Sequence, residues 1–410
     1  MKKIWQDSGL EFTQPVRDPL WKNIMLPPEF SAVIDSAEFM KLGRICQLGP
    51  AGIVYPGATH TRRAHSFGVF HLAKRLLDAL AGRYPAFSLD PLALRSYLMA
   101  ALCHDLGHFP YTHSLKELPL VEHEELSGRI ITGVLASAVK AAGADPELTA
   151  AIIDDRQSHS CSQLGFLRSL LSGVLDPDKL DYLNRDAWAC GVPYGTQDVD
   201  FILQHIGLDS GGHIAIDERG IMAVEAVLFS KYQMYRAVYW HRNVRAATAM
   251  IKKAILAELT AGNLAFDKLY GLDDAGFYQL MQGLSPSTSG LINSVLHGQL
   301  YSLCYEQVYD PDLPAHARCL QLGQRQVAEQ ELSELLGGSG APLDVVIDIP
   351  EPISFESDLP VLESGKPFSA VSTVFGKELV RSFERALRVV RVFCKNEQVD
   401  KDRLRQFMDR

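Results

Sequence analysis

Apolar residues recur at helical spacing through the first half of the chain. In "AHSFGVFHLAKRLLDAL", starting at Ala64, the residues Val69, Leu72, Leu76 and Leu80 share one stripe, which predicts an amphipathic helix. "PLALRSYLMAALCHD", starting at Pro91, repeats the pattern with Leu94, Leu98 and Ala101, and Gly107 provides a stop. Residues 1–30 carry Pro15, Pro19, Pro27 and Pro28 and read as an extended segment. "SGGHIAIDERGI" predicts a short hairpin through Ile214 and Ile216, and a long helix rich in Tyr and Arg follows over about 221–261. "LLGGSGAP" at 335–342 reads as a linker. Beyond it "LDVVIDIP" and "LRVVRVFC" predict strands around a helix near 376–387, and "KDRLRQFM" a terminal helix. The expected fold is mainly α: a helical body over 31–336 with a short β-hairpin, and a small α+β unit over 343–410.

Composition narrows the class. The 410 residues are 47% hydrophobic and 22% charged, enough to bury a sizeable core. A net charge of −9 argues against nucleic-acid binding through a broadly basic surface. The seven cysteines are scattered without a C-x-x-C pair, which fits a reducing compartment. "MKKIWQDSGLEF" lacks the apolar stretch of a secretory signal, and no run of about 18 apolar residues occurs. A cytoplasmic protein without a membrane partner is expected.

The candidate chemistry starts at "AALCHDLGHFPYTH", residues 101–114, where an apolar helix ends in polar groups. Leu94, Leu98, Ala101 and Asp105 follow a 4-3-4 spacing that puts Asp105 on the core-facing stripe. His65 likewise tops the stripe of Val69, Leu72 and Leu76. Either group alone could be a buried side chain bonded to a carbonyl or capping a helix. Two inward-facing groups on different helices ask for a common partner, and a divalent cation is the simplest. In "VLDPDKLDYLNRDAW", Asp176 is a natural N-cap and Pro177 suits the first helical position. That helix projects Asp178, Asp181, Tyr182 and Arg185 from one face, opposite Leu180 and Leu183. A solvated acidic face is one account of it; Lys179 and Arg185 beside the acids also suit a phosphate near a metal. Spacing alone leaves Asp178 and Asp181 both open as ligands.

His65, then His104-Asp105, then an aspartate in "DPDKLDYLNRD" resembles the HD phosphohydrolase superfamily. "QLGPAGIVYPGATHTRRAHSFGVFHLA" at 47–73, "VRDPLWKNIMLP" at 16–27 and "QMYRAVYWHR" at 233–242 resemble its deoxynucleoside triphosphate triphosphohydrolase branch. That branch includes bacterial dGTPase-like enzymes and a vertebrate dNTPase with an added SAM domain. The likeness spans about residues 12–260. It implies an HD-domain helical fold and one divalent ion (Mn, Fe, Zn, Ni or Mg) held by His65, His104, Asp105 and Asp178. It implies that His108 and His113 lie near the substrate phosphates and that His123 and Glu124 assist protonation of the leaving oxygen. Arg62, Lys179, Tyr182 and Asp186 match positions that hold triphosphate and sugar, and Gln47 and Leu48 match a pair packed where a 2′-hydroxyl would collide.

The implied reaction converts a dNTP to deoxynucleoside and inorganic triphosphate, in a homo-oligomer (dimer or tetramer). A phosphatase or phosphodiesterase on the same scaffold, or a nucleotide-sensing protein with little turnover, are the alternatives. Two departures stand out. Met40 and Gly43 occupy places where the family's regulatory nucleotide site uses Gln and Arg, although Asp35 is kept. Val238 stands where some members have a phosphate-binding Arg. Arg242 or Arg245 could replace it from the next turn, with His241 as a sugar or phosphate contact. Tyr235, Tyr239 and Trp240 read as aromatic core packing rather than base stacking.

Overall fold

The helices that carry the candidate chemistry begin and end as their sequences dictate. Helix α1 spans Arg62–Arg83 and α2 spans Pro91–Cys103. Asp90 caps α2 by accepting hydrogen bonds from the amides of Leu92 and Ala93, and Pro91 supplies the preset first turn. Every residue of α2 from Ser96 to Cys103 is buried, as expected for a helix apolar on all sides. Another helix spans His123–Thr132 (α3), and the carboxylate-rich helix spans Pro177–Cys190 (α4). Asp176 caps α4 through the amide of Lys179, and Gly191 ends it at φ +66°, a left-handed conformation that favours glycine. The computed structural model describes residues 3–337, 343–355, 358–396 and 398–409. Among them, no helix is long and apolar enough to cross a membrane.

Residues 1–30, expected to be extended, instead form a short helix over Lys3–Ser8 and an antiparallel hairpin. Strand β1, Gln14–Asp18, pairs with β2, Lys22–Leu26. Ile4, Trp5, Ile24 and Leu26 are buried in the main core; Pro15 lies within β1 opposite Met25, and Pro28 opens a 3-10 turn, so the prolines belong to packed elements and not to a free segment. The expected hairpin is present as β3, Ile206–Leu208, against β4, Ile214–Ile216.

The long helix over 221–261 is two helices, α5 (Ile221–Met234) and α6 (Arg242–Thr260), joined by a π-helical turn at Tyr235–Tyr239. The C-terminal sheet has three antiparallel strands in the order β5-β7-β6. β6 (Val345–Asp348) and β7 (Val389–Cys394) match expectation, as does α7, Lys377–Leu387. β5, Ser302–Val308, comes from within the expected helical body, so the sheet straddles the anticipated boundary. The anticipated linker lies outside the described residues over 338–342.

α1 and α4 approach closely at Gly68. A Cβ there would sit 1.8 Å from Oδ1 of Asp181 and 2.6 Å from Nη2 of Arg185, inside van der Waals contact. Gly68→Ala is therefore expected to destabilise the protein by about 1–3 kcal/mol through overpacking, read as a lower midpoint in thermal unfolding. An unchanged midpoint would mean that the two helices have room to separate.

Candidate active site

The turn after α2 carries the first two functional groups. α2 stops at Cys103, so Asp105 lies just past the helix and not on its stripe, although it remains buried. Nδ1 of His104 donates to the carbonyl of Ala101 at 3.0 Å, which turns Nε2 outward. From α1, Nδ1 of His65 lies 2.8 Å from Oδ2 of Asp181, and its Nε2 lies 2.9 Å from Oδ1 of Asp178. Both imidazoles are thus pinned at Nδ1 by an acceptor and present Nε2 to the same space, the arrangement in which a partner behind the ring orients a metal ligand.

Asp178 Oδ1 is also 3.9 Å from Nε2 of His104, and Asp105 Oδ1 is 3.4 Å from that nitrogen. Nε2 of His104 is buried and has no hydrogen-bond partner. The ligand atoms of His65, His104 and Asp178 all lie within 4.8 Å of one another. An orphaned imidazole nitrogen beside two carboxylates fits a divalent cation, because unpaired buried polar groups are otherwise costly. Geometry also separates the two acids that spacing left open. The Asp178 side chain is 41% exposed and faces the cavity, whereas Asp181 is fully buried behind His65.

Electrostatics follow from these contacts. Burial would lower the His65 pKa, but hydrogen bonds and charges from Asp178 and Asp181 carry it up instead. Burial would raise Asp105, yet His108, His104 and Arg62 hold it well below the usual carboxylate range. Arg62 donates from Nη1 to Asp105 Oδ2 at 2.9 Å.

Beside this group three imidazoles cluster at tilted and edge-to-face angles. The ring centroids of His108 and His123 are 4.0 Å apart, and those of His108 and His113 are 4.7 Å apart. Their nitrogens also come within 4.8 Å of one another. Burial and the Arg62 guanidinium push His108 well down; burial and His113 do the same to His123. The fixed cation Arg62 disfavours a second metal there and favours an anion. Nδ1 of His123 lies 3.1 Å from Oε2 of Glu124 without hydrogen-bond alignment.

These groups open on a cavity of about 530 Å³. Gln47, Leu48, Arg62, His113, His123, Tyr182 and Asp186 line it together with His65, His104, Asp105 and Asp178. His108 is fully buried behind the lining. Lys179 is turned to Asp176 at 2.8 Å and Glu124 is half-buried beside His123; neither lines the cavity. His241 and Arg242 do not reach it. His241 caps α6 through the amide of Asn243, and Arg242 is exposed.

Arg245 faces the cavity instead, with Nε 2.8 Å from Asp348 Oδ2. Tyr235, Tyr239 and Trp240 pack on one another, as expected, but they also form cavity wall. Sequence reasoning missed Lys116, Lys231 and Lys252 on this surface. One signal was available: Arg245, Thr248 and Lys252 fall at i, i+3 and i+7 on α6 among Ala246, Ala249, Met250 and Ile251, a buried polar stripe on one face of the helix.

Comparison with known proteins identifies the family. Residues 62–154 match the HD domain family, and residues 198–404, half of the chain, match the family described as the HD associated region. An uncharacterized protein of Methanocaldococcus jannaschii is 33% identical over 270 residues, covering 65% of this chain and 54% of that protein. The deoxynucleoside triphosphate triphosphohydrolase SAMHD1 of Bos taurus is 26% identical over 275 residues, covering 59% of this chain and 47% of the relative. The match thus spans about half the length of these curated relatives. A crystal structure of a phosphohydrolase from Bacteroides thetaiotaomicron superposes with a TM-score of 0.73 at 20% identity, covering 94% of this chain and all of that one. At that identity the likeness speaks for the fold.

Proposed function

The chain belongs to the HD-domain family that carries the HD-associated region, and on that premise we propose that it hydrolyses deoxynucleoside triphosphates with the help of a divalent metal, releasing deoxynucleoside and inorganic triphosphate. The observation that carries this reading is the meeting of two unlike walls in one cavity. One wall holds His65, His104, Asp105 and Asp178, suited to a cation; the other holds Arg62, His113, His123, Lys116, Lys231 and Lys252, the last paired with Glu117 at 3.0 Å, suited to a polyanion.

Bound at the first wall, a divalent ion such as Mn²⁺ supplies Lewis acidity toward water and a phosphoryl oxygen. Arg62 spans the two walls, holding Asp105 charged while adding positive charge where phosphate negative charge grows. His123 enters neutral, because burial and His113 depress it. An arriving triphosphate reverses that balance, since a nearby anion favours the imidazolium. The ring can then protonate the departing nucleoside oxygen, with Glu124 beside Nδ1 steadying the charged form. Gln47 and Leu48 belong to the same lining, and in this reading they pack against the sugar, where a ribose 2′-hydroxyl would collide. The seven free cysteines suit a reducing cytoplasm, and a homo-oligomer is part of the proposal.

The test is turnover of the four dNTPs against the four NTPs with and without Mn²⁺. Metal-dependent cleavage confined to dNTPs supports the reading; equal cleavage of both sugars overturns the sugar rule. His123→Ala is expected to retain metal and substrate affinity while slowing turnover by about 10²–10⁴-fold, the usual worth of a general acid. Unchanged turnover would remove His123 from the reaction.

A further inference from the structure

Behind the polyanion wall of the active-site cavity lies a second cavity of about 430 Å³, a size typical of small-molecule sites. It opens between α6 and the helix Leu322–Leu335, with β6 along one side. Leu256, Ala257, Leu322 and Val346 give it an apolar body, and Lys252, Lys253 and Arg325 line it as well. Lys252 lines both cavities, so this side chain stands in the partition between them.

The three cations are buried and incompletely paired. Lys252 Nζ donates to Glu117 Oε2 at 3.0 Å, its one partner among the described residues. Arg325 donates from Nη1 and Nη2 to the two oxygens of Glu117, at 2.8 Å and 3.4 Å, and from Nε to the carbonyl of Cys319 at 2.6 Å. Lys253 bonds to Glu329 and to the carbonyl of Val345. An ammonium has three N–H donors and a guanidinium five, so each of these side chains keeps a donor without a partner among the described residues. Charge is short as well. Three cations meet the two carboxylates Glu117 and Glu329, and the adjacent Arg245 and Asp348 neutralise each other. Burial, reinforced by Arg325 and Arg245, holds the Lys252 pKa below the usual lysine value. Buried donors left without an acceptor are costly, and an anion in this cavity relieves that cost.

We propose that the cavity is a second ligand site, taking a small amphiphile with one carboxylate or phosphate monoester on an apolar tail, and that its occupant opposes polyanion binding in the active-site cavity. The anionic head takes the spare donors of Lys252, Lys253 and Arg325, while the tail lies along Leu256, Ala257 and Val346. Ligands in the two cavities then draw on one ammonium. The site stands on its own groups; the coupling rests on the phosphate reading of the active-site cavity given above.

The test is calorimetric titration of the full chain with octanoate and with octyl phosphate, using n-octanol and acetate as controls. One equivalent of octanoate or octyl phosphate should bind about tenfold more tightly than either control, the usual effect of hydrogen bonds to a charged group added to burial of a tail. The tighter of the two identifies the head group. Val327→Glu puts a carboxylate on the exposed rim of this cavity. It should weaken the amphiphile and leave the binding of inorganic triphosphate with Mn²⁺ unchanged. Saturating triphosphate and Mn²⁺ should weaken the amphiphile by about fivefold or more, and the amphiphile should weaken triphosphate by the same factor. Absence of saturable binding by both amphiphiles, or equal binding of n-octanol, overturns the site. Triphosphate that binds without affecting the amphiphile overturns the coupling. If triphosphate does not bind at all, the phosphate reading fails and the coupling fails with it, whereas the site is still decided by the amphiphiles.

Discussion

Replacing His104 with alanine is expected to strip the protein of its metal and reduce hydrolysis by about a thousandfold or more, because several kcal/mol of transition-state stabilisation goes with the ion. The argument rests on where the ring points. Its Nδ1 is already used by the carbonyl of Ala101, so Nε2 has no structural duty and is buried without a partner. Removing the ring deletes one ligand and leaves no stranded charge, so secondary structure and the melting transition in metal-free buffer should be retained. Metal content by elemental analysis and turnover should fall together. A His104→Ala protein that keeps both would show that the cation sits elsewhere.

Asp181→Ala is expected to do more damage to the fold than any single change at the metal ligands. Arg185 is 1% exposed and donates to both oxygens of Asp181, at 2.7 Å and 2.9 Å, and to Asp18 Oδ2 at 2.8 Å. Trp21 and His65 also bond to Asp181. Loss of the carboxylate strands a buried guanidinium on a single partner, a class of change that costs about 3–5 kcal/mol. It also releases Nδ1 of His65, and removal of such an orienting partner typically weakens metal affinity by roughly 10–100-fold. Chemical denaturation measures the first effect and a metal titration the second. Normal stability with weakened metal binding would confine Asp181 to orienting His65. Normal values of both would contradict the account of how α1, α4 and the N-terminal hairpin are tied together.

Local chemistry made much of this architecture readable. The caps Asp90 and Asp176, each followed by proline, announce α2 and α4, and the apolar stripe of α1 is regular. His65 and Asp105 could be picked out because polar groups at the ends of apolar stripes ask for a partner, whereas His104 and Asp178 were implied as ligands only by the resemblance to the HD superfamily. What sequence spacing could not show was set by long-range contact. Asp105 was placed on a helical stripe, but α2 stops two residues earlier, where the His104 ring turns back to Ala101.

The helix over 221–261 breaks at a π turn that no propensity signals, since Tyr, Arg, Ala and Val all tolerate a helix. That break turns His241 into a cap and leaves Arg245 facing the cavity. "SLCYEQV" became a strand because β7 lies beside it, not because its own pattern alternates. Lys231 lines the cavity wall and donates to the carbonyl of Ser354, more than a hundred residues later, at 2.8 Å, a contact that sequence spacing does not reveal.

The central claim is tested most directly by resolving the products of an Mn²⁺-supplemented dNTP reaction. Deoxynucleoside and inorganic triphosphate in equal amounts, lost together on chelation, is the predicted result. Release of monophosphate with pyrophosphate, or of free phosphate, would contradict it and assign the same metal site to a phosphodiesterase or phosphatase instead.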